Sequence, residues 1–149
     1  MRVALDTNVM ACAEGVNGEE MRDRALSLIA CLPADAVVLP VQTLGELFQV
    51  LTRKAGRPQR VAREHVLTWR AAFALMPTSP TAILMATDLV ITHSFSFWDA
   101  VILGSAAEAD CHLLLSEDMQ HGFIWQGVTI VNPFVRPAHP LLRALIGQA

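Results

Sequence analysis

The chain has 149 residues, a length that fits one domain with a sizeable buried core. Hydrophobic residues make up 53% of the sequence and charged residues 17%, which excludes an intrinsically disordered protein. The formal net charge of −3 excludes a polycation that binds nucleic acid by bulk electrostatics, so such binding would need a local basic patch or a bound metal ion.

The mean hydropathy of +0.41 is high for a small monomer, and we expect part of the apolar surface to cover an interface with another subunit or a partner. The N-terminus is charged at Asp6 and no window holds about 18 uninterrupted apolar residues. We therefore expect no signal peptide and no membrane span, and a cytoplasmic location. The three cysteines include no Cys-x-x-Cys pair, which favours free thiols.

The elements of the first half of the chain follow from short apolar runs and from apolar residues spaced three or four apart. We predict, in chain order, a strand at 3–5, a helix at about 19–31, a strand at 36–39, and helices at 41–54 and 58–76. Prolines and glycines separate these elements because they do not continue a helix.

The second half continues the same alternation. We predict a turn at 77–80, helices at 81–92 and 96–110, strands at 112–115 and 128–131, and a short helix within the tail at 137–149. Strands that are continuous apolar runs and alternate with helices are typical of a parallel sheet with helices on both faces. We therefore predict an α/β fold, a three-layer αβα sandwich around a mostly parallel sheet of four or five strands.

Acidic residues follow the predicted strands. Asp6 comes directly after the first strand, and Asp118 lies three residues beyond the strand at 112–115. In a parallel sheet the functional cleft lies outside the carboxyl ends of the strands. Both carboxylates are therefore candidates for the same edge of the sheet.

Each candidate acid also has an ordinary structural explanation. Asp6 can cap a helix, and Glu46 lies opposite an apolar helical stripe and can face solvent. Asp99 can form a capping box with Ser96, and Asp118 can belong to a turn. Asp99, however, begins a helix that is apolar almost all round, so its carboxylate should lie near apolar groups and need a partner.

The four acids together indicate a functional site more strongly than any one of them does alone. Two unit charges 4 Å apart repel by about 1 kcal/mol in water and about 4 kcal/mol at an effective dielectric constant of 20. Clustered carboxylates therefore oppose folding or take up protons unless a divalent cation neutralises them. Ligation by oxygen alone suits Mg²⁺ or Mn²⁺, and water held by such an ion can attack a phosphodiester.

The order of these motifs resembles that of the PIN domain. The motifs are Asp6-Thr7-Asn8, a helical Glu46, Trp98-Asp99-Ala100, Leu115-Ser116-Glu117-Asp118, and Asn132-Pro133-Phe134 after the last strand. The likeness runs from about residue 3 to residue 134, so we expect a PIN domain at 1–134 and a C-terminal tail at 135–149 packed on it or extending from it. A compact chain of this kind is similar to the VapC toxins of VapBC toxin–antitoxin pairs.

The resemblance implies an endoribonuclease that hydrolyses RNA with a metal-activated water. The metal would be Mg²⁺, for which Mn²⁺ could substitute. It implies four catalytic acids. Asp6 and Asp99 would be the main metal ligands, Asp118 would complete the metal site, and Glu46 would orient a water or bind a second ion. The resemblance also implies a cognate antitoxin as partner and, commonly, a homodimer.

Further polar and aromatic residues are candidates for supporting roles. The resemblance implies that Asn8 and Ser116 support the acids by hydrogen bonds. Six of the eleven basic residues lie in one short region: Arg53, Lys54, Arg57, Arg60, Arg63 and Arg70. The first three could contact RNA phosphates, although for any single one of them a solvated helix face is the favoured explanation. Trp98 and Trp125 could stack on a base, but we expect both to be buried.

Two other functions stay open. A PIN-like module could hold RNA or a protein without cutting it, although the presence of all four acids argues against this. A phosphotransfer enzyme could use Asp6 as its nucleophile in the Asp-x-Asn sequence. That chemistry normally needs a lysine near a later strand, and Lys54, the only lysine, falls in a predicted helix.

Overall fold

The short apolar runs of the sequence form the central sheet. The computed structural model of the chain describes residues 1–147. Its strands are β1 (Arg2–Leu5), β2 (Val37–Pro40), β3 (Ala74–Met76), β4 (Cys111–Leu115), β5 (Ile124–Trp125) and β6 (Val128–Val131). They lie in the order β3-β2-β1-β4-β6-β5, and all neighbours are parallel except β5 and β6.

Helices cover both faces of this sheet. They are α1 (Thr7–Ala13), α2 (Glu19–Cys31), α3 (Val41–Gln49), α4 (Gln59–Ala72), α5 (Pro80–His93), α6 (Phe97–Glu108) and α7 (Pro140–Ile146). α5 and α6 pack on one face of the sheet, and the other five helices pack on the opposite face. The α/β three-layer sandwich predicted from the sequence is confirmed.

The central strands are apolar throughout because both of their faces are covered. In β1, Val3 and Leu5 point into the core beneath α1 and α3, whereas Ala4 points into the core beneath α5 and α6. The same alternation recurs in β4, where Leu114 packs on the side opposite to its two neighbours. Successive side chains of a strand point to opposite faces, so a strand between two helical layers shows no polar alternation.

One predicted helix is wrong at its C-terminal end. The pattern predicted a helix over 58–76, but α4 ends at Ala72, and Ala74–Met76 forms the edge strand β3, which pairs with β2. Pro77 disfavours the helical conformation of the residue before it, and the open edge of β2 supplies hydrogen bonds. Tertiary pairing therefore decides the structure of this segment.

Other predicted boundaries shift by less. The helix predicted over 41–54 is α3 followed by a π-helix at Val50–Lys54. Ala36, predicted to start the second strand, ends a short 3₁₀-helix instead. The sheet has six strands rather than four or five, because β3 and the two-residue β5 join it. α1 was anticipated only through the capping role of Asp6.

The C-terminal tail forms α7, whose Leu142 and Leu145 are buried in the core shared with α1 and α3. Residues 148 and 149 of the predicted tail lie outside the described residues. Within residues 1–147, none of the helices is long and apolar enough to cross a membrane.

Candidate active site

At the carboxyl edge of the sheet, the first residues beyond β1 and β4 are each hydrogen-bonded to the last residue of the neighbouring strand. The Asp6 backbone N–H donates to the Leu115 carbonyl at 2.9 Å, and the Ser116 N–H donates to the Val131 carbonyl at 3.0 Å. Asp6 is thereby fixed at the start of α1, where it is the N-cap, and its side chain is buried. The sheet order changes direction around β1, and such a switch point forms a crevice in α/β proteins.

Hydrogen bonds hold the Asp6 carboxylate on both oxygens. Oδ1 accepts from the Thr7 backbone N–H at 2.7 Å, and Oδ2 accepts from the Ser116 hydroxyl at 2.8 Å and from the Asn8 amide at 3.0 Å. The Asn8 amide also donates to Asp118, and its oxygen accepts from the Glu117 N–H at 3.0 Å. Asn8 therefore bridges two of the candidate acids.

Glu46 is held in the same way by residues that the sequence analysis did not single out. The Thr7 hydroxyl donates to Oε2 of Glu46 at 2.7 Å, and the Gln42 amide donates to Oε1. Gln42 also donates to the Trp98 carbonyl at 3.2 Å. The spacing of four residues between Gln42 and Glu46 on one helix was the available sign of this contact.

The oxygen of the Gln42 amide has no hydrogen-bond partner within the described residues. This Oε1 atom is buried, and among residues 1–147 no donor reaches it. A buried polar atom without a partner costs about 1–3 kcal/mol. The Gln42 amide therefore holds Glu46 through its nitrogen at the cost of leaving its buried oxygen without a donor.

The carboxylates lie close enough to influence each other's ionisation. The pKa of Asp6 is raised to about 7, chiefly by burial; the hydrogen bonds from Ser116 and Thr7 act in the opposite direction, and the charges of Asp118 and Asp99 add to the rise. Partial burial also raises the pKa of Asp99. The Ser96 hydroxyl opposes that rise, while the charges of Asp118 and Glu46 add to it.

All four acids line one cleft of about 490 Å³, together with Arg53 and Lys54. The two basic residues belong to the π-helix that continues α3. Lys54 also donates to the side chain of Asn17 at 3.2 Å. The cleft is therefore acidic at the edge of the sheet and basic where the π-helix reaches it.

Arg57, the third basic candidate, is engaged elsewhere. Its guanidinium forms an ion pair with Glu14 at 2.9 Å and also donates to the Glu14 carbonyl. His65 and the Trp69 indole N–H bind the same carboxylate at 2.8 and 2.9 Å. These contacts of Glu14 join α1, α4 and the loop between the π-helix and α4. A contact between Arg57 and RNA stays a prediction.

The residues around Asp99 differ from two expectations. Trp98 was expected to be buried and is 57% exposed, because it lies on the outer side of the first turn of α6, against the edge of Phe97. Ser96 precedes α6, but its side chain makes no capping hydrogen bond to the helix backbone, so the capping box does not form. Trp125 is half-buried.

The donor set suits a hard divalent cation, because four carboxylates line the cleft beside the two basic side chains of Arg53 and Lys54, and carboxylate oxygens are the ligands that such ions prefer. Within residues 1–147, however, no group of three or more His, Cys, Asp or Glu side chains is arranged tightly enough to hold a metal ion. The acids thus converge in one cleft without forming a finished coordination shell.

The protein is thus an α/β sandwich with an acidic cleft at the carboxyl edge of its parallel strands. The model of the PIN domain family matches residues 3–122. The chain therefore belongs to the PIN domain family. No curated protein matches the chain.

Solved structures share the fold. VapC20 of Mycobacterium tuberculosis, described as a sarcin-ricin loop cleaving toxin, has a TM-score of 0.65 and 20% identity, covering 78% of this chain and 91% of its own. A toxin–antitoxin complex from Klebsiella pneumoniae has a TM-score of 0.64 and 19% identity, and the match covers 89% of this chain and 98% of the other. FitAcB from Neisseria gonorrhoeae has a TM-score of 0.66 and 20% identity, and the match covers 89% of this chain and 98% of the other. At such identities the likeness establishes the fold alone.

Proposed function

We propose that this chain is a metal-dependent endoribonuclease and the toxin of a type II toxin–antitoxin pair. The observation that carries the proposal is the presence of Asp6, Glu46, Asp99 and Asp118 in a single cleft. Membership of the PIN family supports it, and so does the shared fold with a toxin described as cleaving the sarcin-ricin loop.

In this proposal Asp6, Asp99 and Asp118 hold Mg²⁺, or Mn²⁺ in its place, because carboxylate oxygens are the ligands that these ions prefer. The bound ion would neutralise the cleft and activate water towards a phosphodiester. Asn8 and Ser116 keep the Asp6 carboxylate oriented through the hydrogen bonds described above.

Glu46 has a separate role in the proposal. Its carboxylate is only half-buried and is held by two hydrogen bonds, so it can accept a hydrogen bond from an attacking water while keeping a fixed position. Arg53 and Lys54 would bind a phosphate next to the one that is cut, since backbone phosphates are the usual partners of basic side chains.

We also propose that the chain forms a homodimer and binds an antitoxin. The high mean hydropathy and the exposure of Leu84 and Ile91 on α5 support an interface, and one of the structures of similar fold is a toxin–antitoxin complex. Light scattering of the purified chain tests the dimer. The mass of a single chain at micromolar concentration would contradict it.

The test of activity is to incubate the purified chain with total RNA in Mg²⁺, in Mn²⁺ or in EDTA. We expect cleavage with either ion, none in EDTA, and none with Asp6→Asn. Asp35→Asn is the matched control, because Asp35 is exposed in the 3₁₀-helix before β2 and its carboxylate does not line the cleft. Cleavage by Asp6→Asn at the rate of the unaltered chain would contradict the proposal.

The same experiment distinguishes the other functions. Binding of RNA without cleavage under any metal condition would identify a binding module. A phosphoryl group attached to Asp6, detected by mass spectrometry, would identify a phosphotransfer enzyme.

A further inference from the structure

Glu46 would be a mobile side chain if α3 alone determined its environment. It is half-buried on the second turn of the helix, and a glutamate in such a position usually samples several rotamers. Here both of its oxygens accept hydrogen bonds, one from Thr7 on α1 and one from Gln42. Glu46 is therefore fixed from two sides.

Gln42 connects Glu46 to a second element of the site. Its amide nitrogen donates to the Glu46 carboxylate and to the carbonyl of Trp98, the residue before Asp99. The carboxylates of Glu46 and Asp99 line the same cleft. One side chain thus links the acid on α3 to the turn of α6 that carries Asp99.

The orientation of the Gln42 amide is determined by its neighbours. Both are acceptors, a carboxylate and a carbonyl, so the nitrogen must face them and the oxygen must face away. That oxygen is buried and, within the described part of the chain, accepts no hydrogen bond. A residue retained only for stability would not be expected to leave a buried acceptor without a donor.

We infer that Gln42 is a positioning residue of this site: its amide fixes the Glu46 carboxylate and ties it to the first turn of α6, so that Glu46 keeps its place relative to Asp99. Gln42 does not itself line the cleft, and it acts through Glu46. The role in catalysis rests on the proposed nuclease function, whereas the ordering of Glu46 does not.

The test compares Gln42→Met with the control Gln59→Met, which makes the same exchange at an exposed glutamine that begins α4 and does not line the cleft. Met is nearly as long as Gln, removes both donors and removes the unpartnered oxygen. We expect kcat for RNA cleavage to fall about 10- to 100-fold in Gln42→Met, the range usual for residues that orient catalytic groups. We expect KM and the melting temperature to be unchanged, or the melting temperature to rise.

A metal-free measurement gives a readout that does not depend on activity. NMR relaxation of the Glu46 methylene groups should show an ordered side chain in the unaltered protein and in Gln59→Met, and a mobile one in Gln42→Met. Gln42→Glu provides a second variant of nearly the same shape; it presents an acceptor to Glu46 and should also release that side chain at pH 8.

The outcomes separate the two ideas. If the unaltered chain cuts no RNA but Glu46 becomes mobile in Gln42→Met, the nuclease proposal fails and the positioning of Glu46 stands. If Glu46 stays ordered in both Gln42 variants, or Gln42→Met cleaves RNA with the kcat of the unaltered chain, the positioning role is refuted. A lower melting temperature with proportional loss of kcat and of folded protein would assign Gln42 a structural role only.

Discussion

At the scale of single residues, the site contains carboxylates whose surroundings disfavour their charge. Asp6 is 4% exposed, and the charges of Asp99 and Asp118 lie near it. In the folded state its pKa rises to about 7, compared with 3.8 for an exposed aspartate. Above neutral pH the folded protein therefore holds a buried, charged Asp6, which lowers its stability. Destabilising charges of this kind are typical of functional sites.

This arrangement predicts that Asp6→Asn stabilises the metal-free protein. Because the folded pKa lies above the unfolded pKa, ionised Asp6 lowers stability most above pH 7, and the penalty disappears as the pH falls from 7 to 4. We expect the free energy of unfolding in EDTA to rise by about 1–3 kcal/mol at pH 8, less than the pKa shift alone implies because an amide accepts fewer hydrogen bonds.

Urea unfolding at pH 8 and pH 4.5 measures this difference. The gain of Asp6→Asn over the unaltered chain should be larger at pH 8. An equal difference at both pH values, or a loss of stability at pH 8, would contradict the prediction.

At the scale of elements, Glu14 joins the segments that form one wall of the cleft. Its side chain is 12% exposed, and Glu14 is the C-cap residue of α1. Its carboxylate accepts hydrogen bonds from Arg57 and Trp69 and lies 2.8 Å from the His65 imidazole. Burial raises the pKa of Glu14, but the hydrogen bonds from Arg57 and Trp69 and the positive charges outweigh it, and the net pKa is lowered. The loop that follows the π-helix is thereby fixed to α1 and α4.

Glu14→Gln should destabilise the fold by about 1–3 kcal/mol near neutral pH, because it removes charge-assisted hydrogen bonds from a mostly buried group. A lowered folded pKa means that this contribution is fully present above the unfolded pKa of about 4.5 and is lost as the pH falls below it. Glu64→Gln on the exposed side of α4 is the control for thermal unfolding at pH 7 and pH 3.5. Equal melting temperatures of the two variants at pH 7 would refute this role.

The π-helix carries the basic end of the cleft, and the prediction about RNA belongs to it. Charge reversal of Arg53 and Lys54 should raise KM for RNA at least about tenfold without changing the melting temperature, because both side chains are exposed. The matched control reverses Arg60 and Arg63, which are equally exposed on α4 but do not line the cleft. Similar losses in both double variants would mean that only net charge matters.

Arg57 is a poor choice for that experiment, since its substitution would also break the ion pair with Glu14. A charge-reversed Arg57 should lower the melting temperature, and any loss of RNA cleavage could then arise from unfolding.

At the scale of the whole molecule, strands and helices distant in sequence bring negative charges together from residues 6, 46, 99 and 118. A cation that binds only the folded state stabilises it by about 2.7 kcal/mol at a concentration 100 times its dissociation constant. We therefore expect Mn²⁺ to raise the melting temperature of the unaltered chain and of Asp35→Asn, and EDTA to reverse the effect. Asp99→Asn should lose most of this shift. An equal shift in Asp99→Asn would show that Mn²⁺ binds elsewhere.

The sequence alone determined most of the fold. The apolar run Val3-Ala4-Leu5 predicted a strand covered on both faces, and the burial of all three residues confirms it. The pattern failed at Ala74–Met76, because the open edge of β2, not local preference, makes that segment a strand. Trp98 was expected to be buried for its size, whereas its place on the first turn of α6 leaves it exposed.

The sequence also supplied the candidate acids, since Asp6 and Asp118 follow strands whose ends must share one edge of a parallel sheet. What only the tertiary structure decided is which groups hold these acids. Thr7 and Gln42 reach Glu46 from different sides, and Arg57 binds Glu14 across 43 positions of the chain. Patterns of polarity predict which face of an element is buried, but a hydrogen bond between distant residues depends on packing to a fraction of an ångström.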